Sequence, residues 1–295
     1  MRVLVAGSSG LIGSALVAHL RSAGHDVLRL VRRPPAAPDE RRWDPPAGTF
    51  DQGTFDGVGA VVGLNGVGIA DRPWSGSRRQ IIRDSRNVPT EVLALAVAAH
   101  GVPVFLSASG IGIYGDTGDT VVDESAPAGS GFVAEVVRDW EAAAKPAVEA
   151  GARVAFLRSG LVLSPSGGLL GPMRTVFRFA LGGKLGDGRQ YMSWVSLDDE
   201  VGVIGFLLED PVSGPVNLTG PHPVTNAEFT RALAAAVGRP APFTVPAFVL
   251  RAVPGGMGVE LGLYGQRAVP AKLDAAGYRF RHTSLRDALS AAVGS

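Results

Sequence analysis

The hydrophobic and polar positions change period along the chain. Residues 2–6 (RVLVA), 60–64 (AVVGL) and 102–106 (VPVFL) are short apolar runs without alternation. Such runs predict buried strands of a parallel sheet, and 25–31 (HDVLRLV) predicts another. Between them the period lengthens toward that of a helix. One helix is predicted from about Ser14 to Ala23, stopped at Gly24. A second is predicted over 76–100, with Ile81, Ile82, Val88, Val92, Leu93, Leu95, Ala96 and Ala99 as its apolar stripe. A third covers 131–145 (GFVAEVVRDWEAAAK), where Val133, Val136, Val137, Trp140 and Ala144 share a face. The stretch 34–51, rich in Pro and charge, predicts a loop. Strands alternating with helices predict an α/β fold: a Rossmann-like, doubly wound parallel sheet with ligands at the carboxyl ends of its strands.

The first strand runs into Gly7-Ser8-Ser9-Gly10-Leu11-Ile12-Gly13 and then a helix. This order matches a dinucleotide-binding unit. Gly7 permits the tight turn, Gly10 lets backbone approach a pyrophosphate, and Gly13 lets the helix pack against the strand. The helix N-terminus then faces the anion. At the end of the second strand an NAD site usually carries an acidic residue for the ribose 2′-hydroxyl. Here Val31 is followed by Arg32 and Arg33. A guanidinium suits a 2′-phosphate, so NADP(H) is expected in preference to NAD(H).

Composition narrows the chemistry. Of 295 residues 46% are apolar, and the net charge is +1. Neither nucleic acid nor membrane is expected as a partner. Cysteine is absent and the five histidines are scattered, so no metal site is expected. The N-terminus lacks a signal-peptide pattern, and a cytoplasmic location is expected.

Five segments extend the pattern: AGSSGLIG (6–13), SASGIGIYGD (107–116), LRSGLVLSPSGG (157–168), GDGRQYMSWVSLDD (186–199) and PVNLTGPHPVTNAEF (215–229). Together they resemble the extended short-chain dehydrogenases/reductases, which include nucleotide-sugar epimerases and dehydratases. The closer resemblance is to the epimerase-like subfamily, whose small C-terminal domain resembles the segments within 242–293. The resemblance implies an NADP(H)-binding domain over 1–165, with a later return near 194–220. It also implies a smaller α/β substrate-side lobe over 166–295. Cofactor contacts would come from Gly7, Ser9, Gly10, Leu11, Ile12, Gly13, Arg32, Arg33, Asn65, Gly66, Ser107 and Arg158. Tyr191, Arg189 and Trp194 would lie on the substrate side.

The resemblance also supplies catalytic candidates. Ser109 best matches the family serine that orients a substrate oxygen, with Ser107 as its competitor. Tyr114 matches a Tyr-Gly at the wall of the site. The family's Tyr-x-x-x-Lys is missing: its place holds Phe132 and Val136 in one register, or Val133 and Val137 in the other. Neither pair can transfer a proton. The expected function is NADP(H)-dependent hydride transfer, oxidoreductase or epimerase-like, on a small carbonyl or sugar-like molecule. The alternative is a catalytically silent NADP(H)-binding sensor or scaffold. A monomer or homodimer is expected.

Overall fold

The computed structural model describes residues 1–165 and 167–293. Ser166, which opens the second expected domain, and Gly294 and Ser295, which close it, lie outside the described residues.

Eight strands form one sheet: β1 (Arg2–Ala6), β2 (Asp26–Val31), β3 (Glu40–Asp44), β4 (Thr49–Phe50), β5 (Val58–Gly63), β6 (Val104–Gly110), β7 (Arg153–Ser159) and β8 (Gly214–Leu218). Their order is β8-β7-β6-β5-β1-β2-β3-β4, parallel except for the β3–β4 edge. Helices α1 (Leu11–Ser22), α2 (Gly76–His100), α3 (Phe132–Ala142) and α4 (Leu197–Glu209) pack around it. The run in β1 conceals a period of two. Val3 and Val5 join Leu16, Leu20, Ile204 and Leu207 of α1 and α4. Leu4 and Ala6 join Leu93 and Val97 of α2 on the opposite face. Both faces are covered, so both sets are apolar.

Helix α2 has the expected bounds, with Ser75 capping its first turn and left-handed Gly101 ending it. Helix α1 begins three residues before the expected Ser14, directly after Gly10, whose extended backbone serves as its N-cap. The stretch 34–51 is not all loop, because it contains β3 and β4. Side chains outweigh composition there. The buried Glu40 carboxylate accepts two hydrogen bonds from Arg33 and lies 3.2 Å from Arg29, while Trp43 stacks on Phe50.

The later part of the chain has its own core, in which Trp194, Phe229, Leu233, Leu285 and Leu289 meet. Carboxylates tie it to the rest of the molecule. Ser196 caps α4 by accepting from Asp199 N, and the buried Asp199 carboxylate accepts from Ser196 Oγ and from the amides of Arg281 and His282. Glu260 reaches back to α3, where its two oxygens accept from the amides of Phe132 and Val133 at 2.9 Å each. A carboxylate at a helix N-terminus satisfies unpaired donors and opposes the positive dipole end. Among the described residues, no helix is long and apolar enough to cross a membrane, and no three His, Asp or Glu could hold a metal ion.

The adjacent aspartates should therefore behave differently. Asp199→Ala leaves two part-buried amides and the Ser196 hydroxyl without their acceptor and should cost about 2 kcal/mol. Asp198→Ala loses only an exposed pair with Arg281 and should stay within about 0.5 kcal/mol. Urea denaturation of both variants checks the contrast.

Candidate functional site

The carboxyl ends of β1, β5, β6 and β7 open on one cleft of about 460 Å³. The glycine loop forms one side. Gly7 has φ +80°, and a Cβ there would fall 2.6 Å from Leu64 O. A Cβ on Gly13 would fall 2.2 Å from Gly7 O. Both glycines are thus required by the protein's own packing. Gly10 is different: its backbone is extended and a Cβ would meet nothing closer than 3.4 Å. Folding does not demand glycine there, whereas close approach of a ligand would. Gly7, Gly10, Leu11, Ile12 and Gly13 all line the cleft, as do Asn65 and Gly66, while Ser9 stands exposed on the loop.

Two polar groups on this wall bear on ligand binding. Asn65 Oδ1 is buried and has no hydrogen bond. Arg86, which sequence reading did not single out, lines the cleft with its guanidinium over the Trp140 ring at 5.1 Å. It donates to the carbonyls of Ile82 and Val67 at 3.1 and 3.0 Å, and no carboxylate pairs with it among the described residues. Burial, helped by nearby Arg78, brings its pKa down to about 10. Nothing in its sequence context, a helix face with several arginines, distinguishes it.

The opposite wall comes from α3. Val133, Val136, Val137 and Trp140 line the cleft. Phe132 does not: it packs edge-on against Trp74 beneath Arg79 and Arg83. The register that presents both of its positions to the cleft is therefore 133/137.

At the floor, Ser109 Oγ donates to Glu141 Oε1 at 2.6 Å. Arg158 grips the same carboxylate with two bonds, at 2.8 and 2.9 Å, and donates to Tyr114 Oη at 3.0 Å. Burial opposes the Arg158 cation, but Glu141 and Tyr114 together outweigh it and raise its pKa. Tyr114 donates to Asn217 Oδ1 at 2.7 Å. The chain of contacts continues to Glu124, which accepts from Asn217 N.

Several expected site residues stand elsewhere. Tyr114 is only 4% exposed and lies behind the floor, not on the cleft wall. Burial raises its pKa against the opposing pull of Arg158, so it keeps its proton at neutral pH. Ser107 is 1% exposed and does not line the cleft, whereas Ser109 does. Arg158 is buried in the ion pair. Trp194 is core, 1% exposed, with Nε1 donating to His222 O. Its large apolar surface is used between β-strand and helix, leaving none for a ligand. Tyr191 lies under the Arg267 guanidinium at 4.5 Å. Arg189 borders a separate hollow with Asp116, Asp119 and Arg251. Arg33 is held by Glu40, whose carboxyl it keeps down at about 2, while no hydrogen bond or ion pair engages exposed Arg32 among the described residues. Glu141, central to the floor, was not singled out in the sequence, where it stands on a helix among other charged residues.

The glycine loop at a helix N-terminus and the guanidinium groups of Arg86 and Arg32, neither paired with a carboxylate among the described residues, are donors suited to the phosphates of a dinucleotide, whereas Asn65 Oδ1 is an acceptor suited to a hydroxyl or amide. Comparison with known proteins agrees. Residues 3–219 match the NAD dependent epimerase/dehydratase family, and residues 245–292 match a domain of unknown function, DUF1731. The epimerase family protein MT2273 of Mycobacterium tuberculosis is 54% identical over 292 residues, 99% of this chain and 97% of that protein. The crystal structure of human epimerase family protein SDR39U1 (isoform 2) with NADPH superposes with a TM-score of 0.90 at 32% identity, covering all of both chains. A nucleoside-diphosphate sugar epimerase from Corynebacterium glutamicum gives 0.83 at 38% identity, covering this whole chain and 58% of that one. With the glycine loop, the parallel sheet and the match over 3–219 in agreement, this chain belongs to the NAD dependent epimerase/dehydratase family.

Proposed function

We propose that this chain is an NADP(H)-dependent enzyme that transfers hydride to or from a small, largely apolar carbonyl compound. The observation that carries the reading is the cleft in which Gly10, whose conformation and packing do not demand glycine, faces a buried unpaired acceptor, Asn65 Oδ1, and the Arg86 guanidinium, which has no carboxylate partner among the described residues. The human relative's crystal structure with NADPH supports the choice of cofactor. The pyrophosphate lies over the N-terminus of α1, and Arg32 takes the 2′-phosphate, since Arg33 is committed to Glu40.

A nicotinamide supplies or accepts a hydride when bound. The chain's own residues set the rest. Ser109 donates its hydrogen to Glu141, so its lone pair accepts from a substrate hydroxyl. As hydride leaves the carbon bearing that hydroxyl, the hydroxyl proton passes to Ser109 Oγ and the serine proton to Glu141, and carbonyl reduction runs the same relay in reverse. Arg158 fixes that carboxylate from behind. Val133, Val136 and Val137 keep the wall dry. Such a wall suits an apolar or aromatic carbonyl better than a hydroxyl-rich sugar. A second reading, NADP(H) binding without turnover, draws support from the same valines, which stand where the family's proton shuttle would be. The discriminating assay follows NADPH absorbance with a panel of ketones and aldehydes. Turnover of one of them supports the enzyme, and NADPH binding with none turned over supports the silent binder.

Three outcomes are expected. Gly10→Val should fold normally yet fail to bind NADPH by calorimetry, whereas Gly13→Val should fail to fold, because its side chain would enter the Gly7 backbone. Arg32→Ala should lose roughly one to two decades of NADPH affinity and little NADH affinity, the worth of one charge-assisted contact. Finally, the double substitution Val133→Tyr with Val137→Lys should gain carbonyl reductase activity. Phe132→Tyr with Val136→Lys should not, since position 132 faces Trp74.

A further inference from the structure

The floor of the cleft contains a second serine–carboxyl pair that the proposed function does not use. Ser159 ends β7 and lines the cleft, beside Gly110 at the end of β6. Its Oγ lies 2.5 Å from Oε1 of Glu200 on α4. Glu200 is 0% exposed and its Oε2 has no hydrogen-bond partner. The contrast with the neighbouring pair is chemical. Glu141 has Arg158 against it, whereas Glu200 forms no salt bridge among the described residues.

The ionisable groups around α4 do not alter this. On its own helix, Asp198 faces Arg281 and Asp199 is bound to Ser196 and the amides of Arg281 and His282. The His282 ring lies at 3.5 Å from Asp199, not at Glu200. Tyr278 presses its hydroxyl toward Gly202, and His19 of α1 faces Gly205. Arg158, next to Ser159 in β7, is turned to Glu141. Burial without a counter-charge raises the Glu200 pKa to about 8, only partly offset by Ser159.

We propose that Ser159 and Glu200 form a proton-operated switch at the nicotinamide end of the cleft, offering the carboxamide oxygen of the cofactor a donor only while Glu200 is neutral. The proposal rests on the NADP(H) reading above. Arg32 at the end of β2 and the glycine loop after β1 fix the adenosine and pyrophosphate, so the other half of the dinucleotide runs over β5, β6 and β7. When neutral, the carboxyl can donate to Ser159 Oγ, and the serine hydrogen is free for the cleft. The other acceptor in reach, Leu157 O at 3.5 Å, is at the limit of a hydrogen bond. When Glu200 is ionised it only accepts, so the serine hydrogen must turn back to it. Ser159 then presents lone pairs to a carbonyl that needs a donor.

The test is calorimetric titration of the full chain between pH 7 and 9.5 with two probes: NADP⁺, and 2′-phospho-ADP-ribose, which lacks the nicotinamide. Wild type should lose about fivefold in NADP⁺ affinity as pH rises through 8, the worth of one hydrogen bond. It should also take up protons on binding near pH 8, read from buffers of different ionisation enthalpy. The truncated probe should show neither effect. Glu200→Gln, which keeps a donor toward Ser159, should bind NADP⁺ at the high-affinity level at every pH. Ser159→Ala should bind at the low-affinity level at every pH, so the two variants bracket the switch independently. The same pH slope in both variants, or with the truncated probe, overturns the switch and leaves the cofactor reading intact. Failure of the wild type to bind either probe overturns both.

Discussion

A guanidinium almost removed from water must be paired, and the pairing of Arg158 with Glu141 constrains the whole far half of the sheet. It binds α3 to β7. Through Ser109 it reaches β6, and through Tyr114 and Asn217 it reaches β8 and, by Glu124, the C-terminal lobe. A buried pair of this kind adds little net stability against an apolar replacement, but removing one partner strands the other charge. Ser109 and Arg158 share one carboxylate, so losing Glu141 would release both at once.

That network also explains which parts of the site were legible in the sequence. The glycine loop could be read because backbone geometry alone demands Gly7 and Gly13. The sheet could be read because parallel strands covered on both faces need continuous apolar runs. Trp194 and Tyr114 misled, for a tyrosine or tryptophan near a cleft motif looks the same whether its ring faces ligand or core. Only tertiary packing decides, and here it buried both. Arg86 and Glu141 were invisible for the converse reason. Each sits on a helix among similar polar residues, and its importance comes from a partner, or the lack of one, distant in the chain. The strands at 40–44 and 49–50 were hidden by prolines and charges, because their stabilising contacts join residues such as Arg29 and Glu40 across strands.

The wall of α3 departs from the Tyr-x-x-x-Lys pattern that the resemblance implies. Where the resemblance leads one to expect a phenol and an ammonium, three valines and a tryptophan face the cleft. The polar chemistry has not vanished but has moved to the floor, where two serines are each backed by a carboxyl group. One carboxyl is paired with a buried arginine, and the other, buried without an ion-pair partner among the described residues, has its pKa pushed up to about 8. Opposite environments imposed on like groups separate a proton acceptor from a proton holder without any histidine.

The cap that Glu260 places on α3 has a consequence for how the protein is made. Synthesis is vectorial, and N-terminal segments begin folding while later ones are still unmade. Every strand of the sheet is present once β8 has emerged, but the amides of Phe132 and Val133 in the first turn of α3 then still lack their acceptor. Those amides find their acceptor only when the final portion of the chain leaves the ribosome and docks. A chain cut before Glu260 would therefore keep the strands of the sheet but lack the acceptor for the first turn of the helix that walls the cleft.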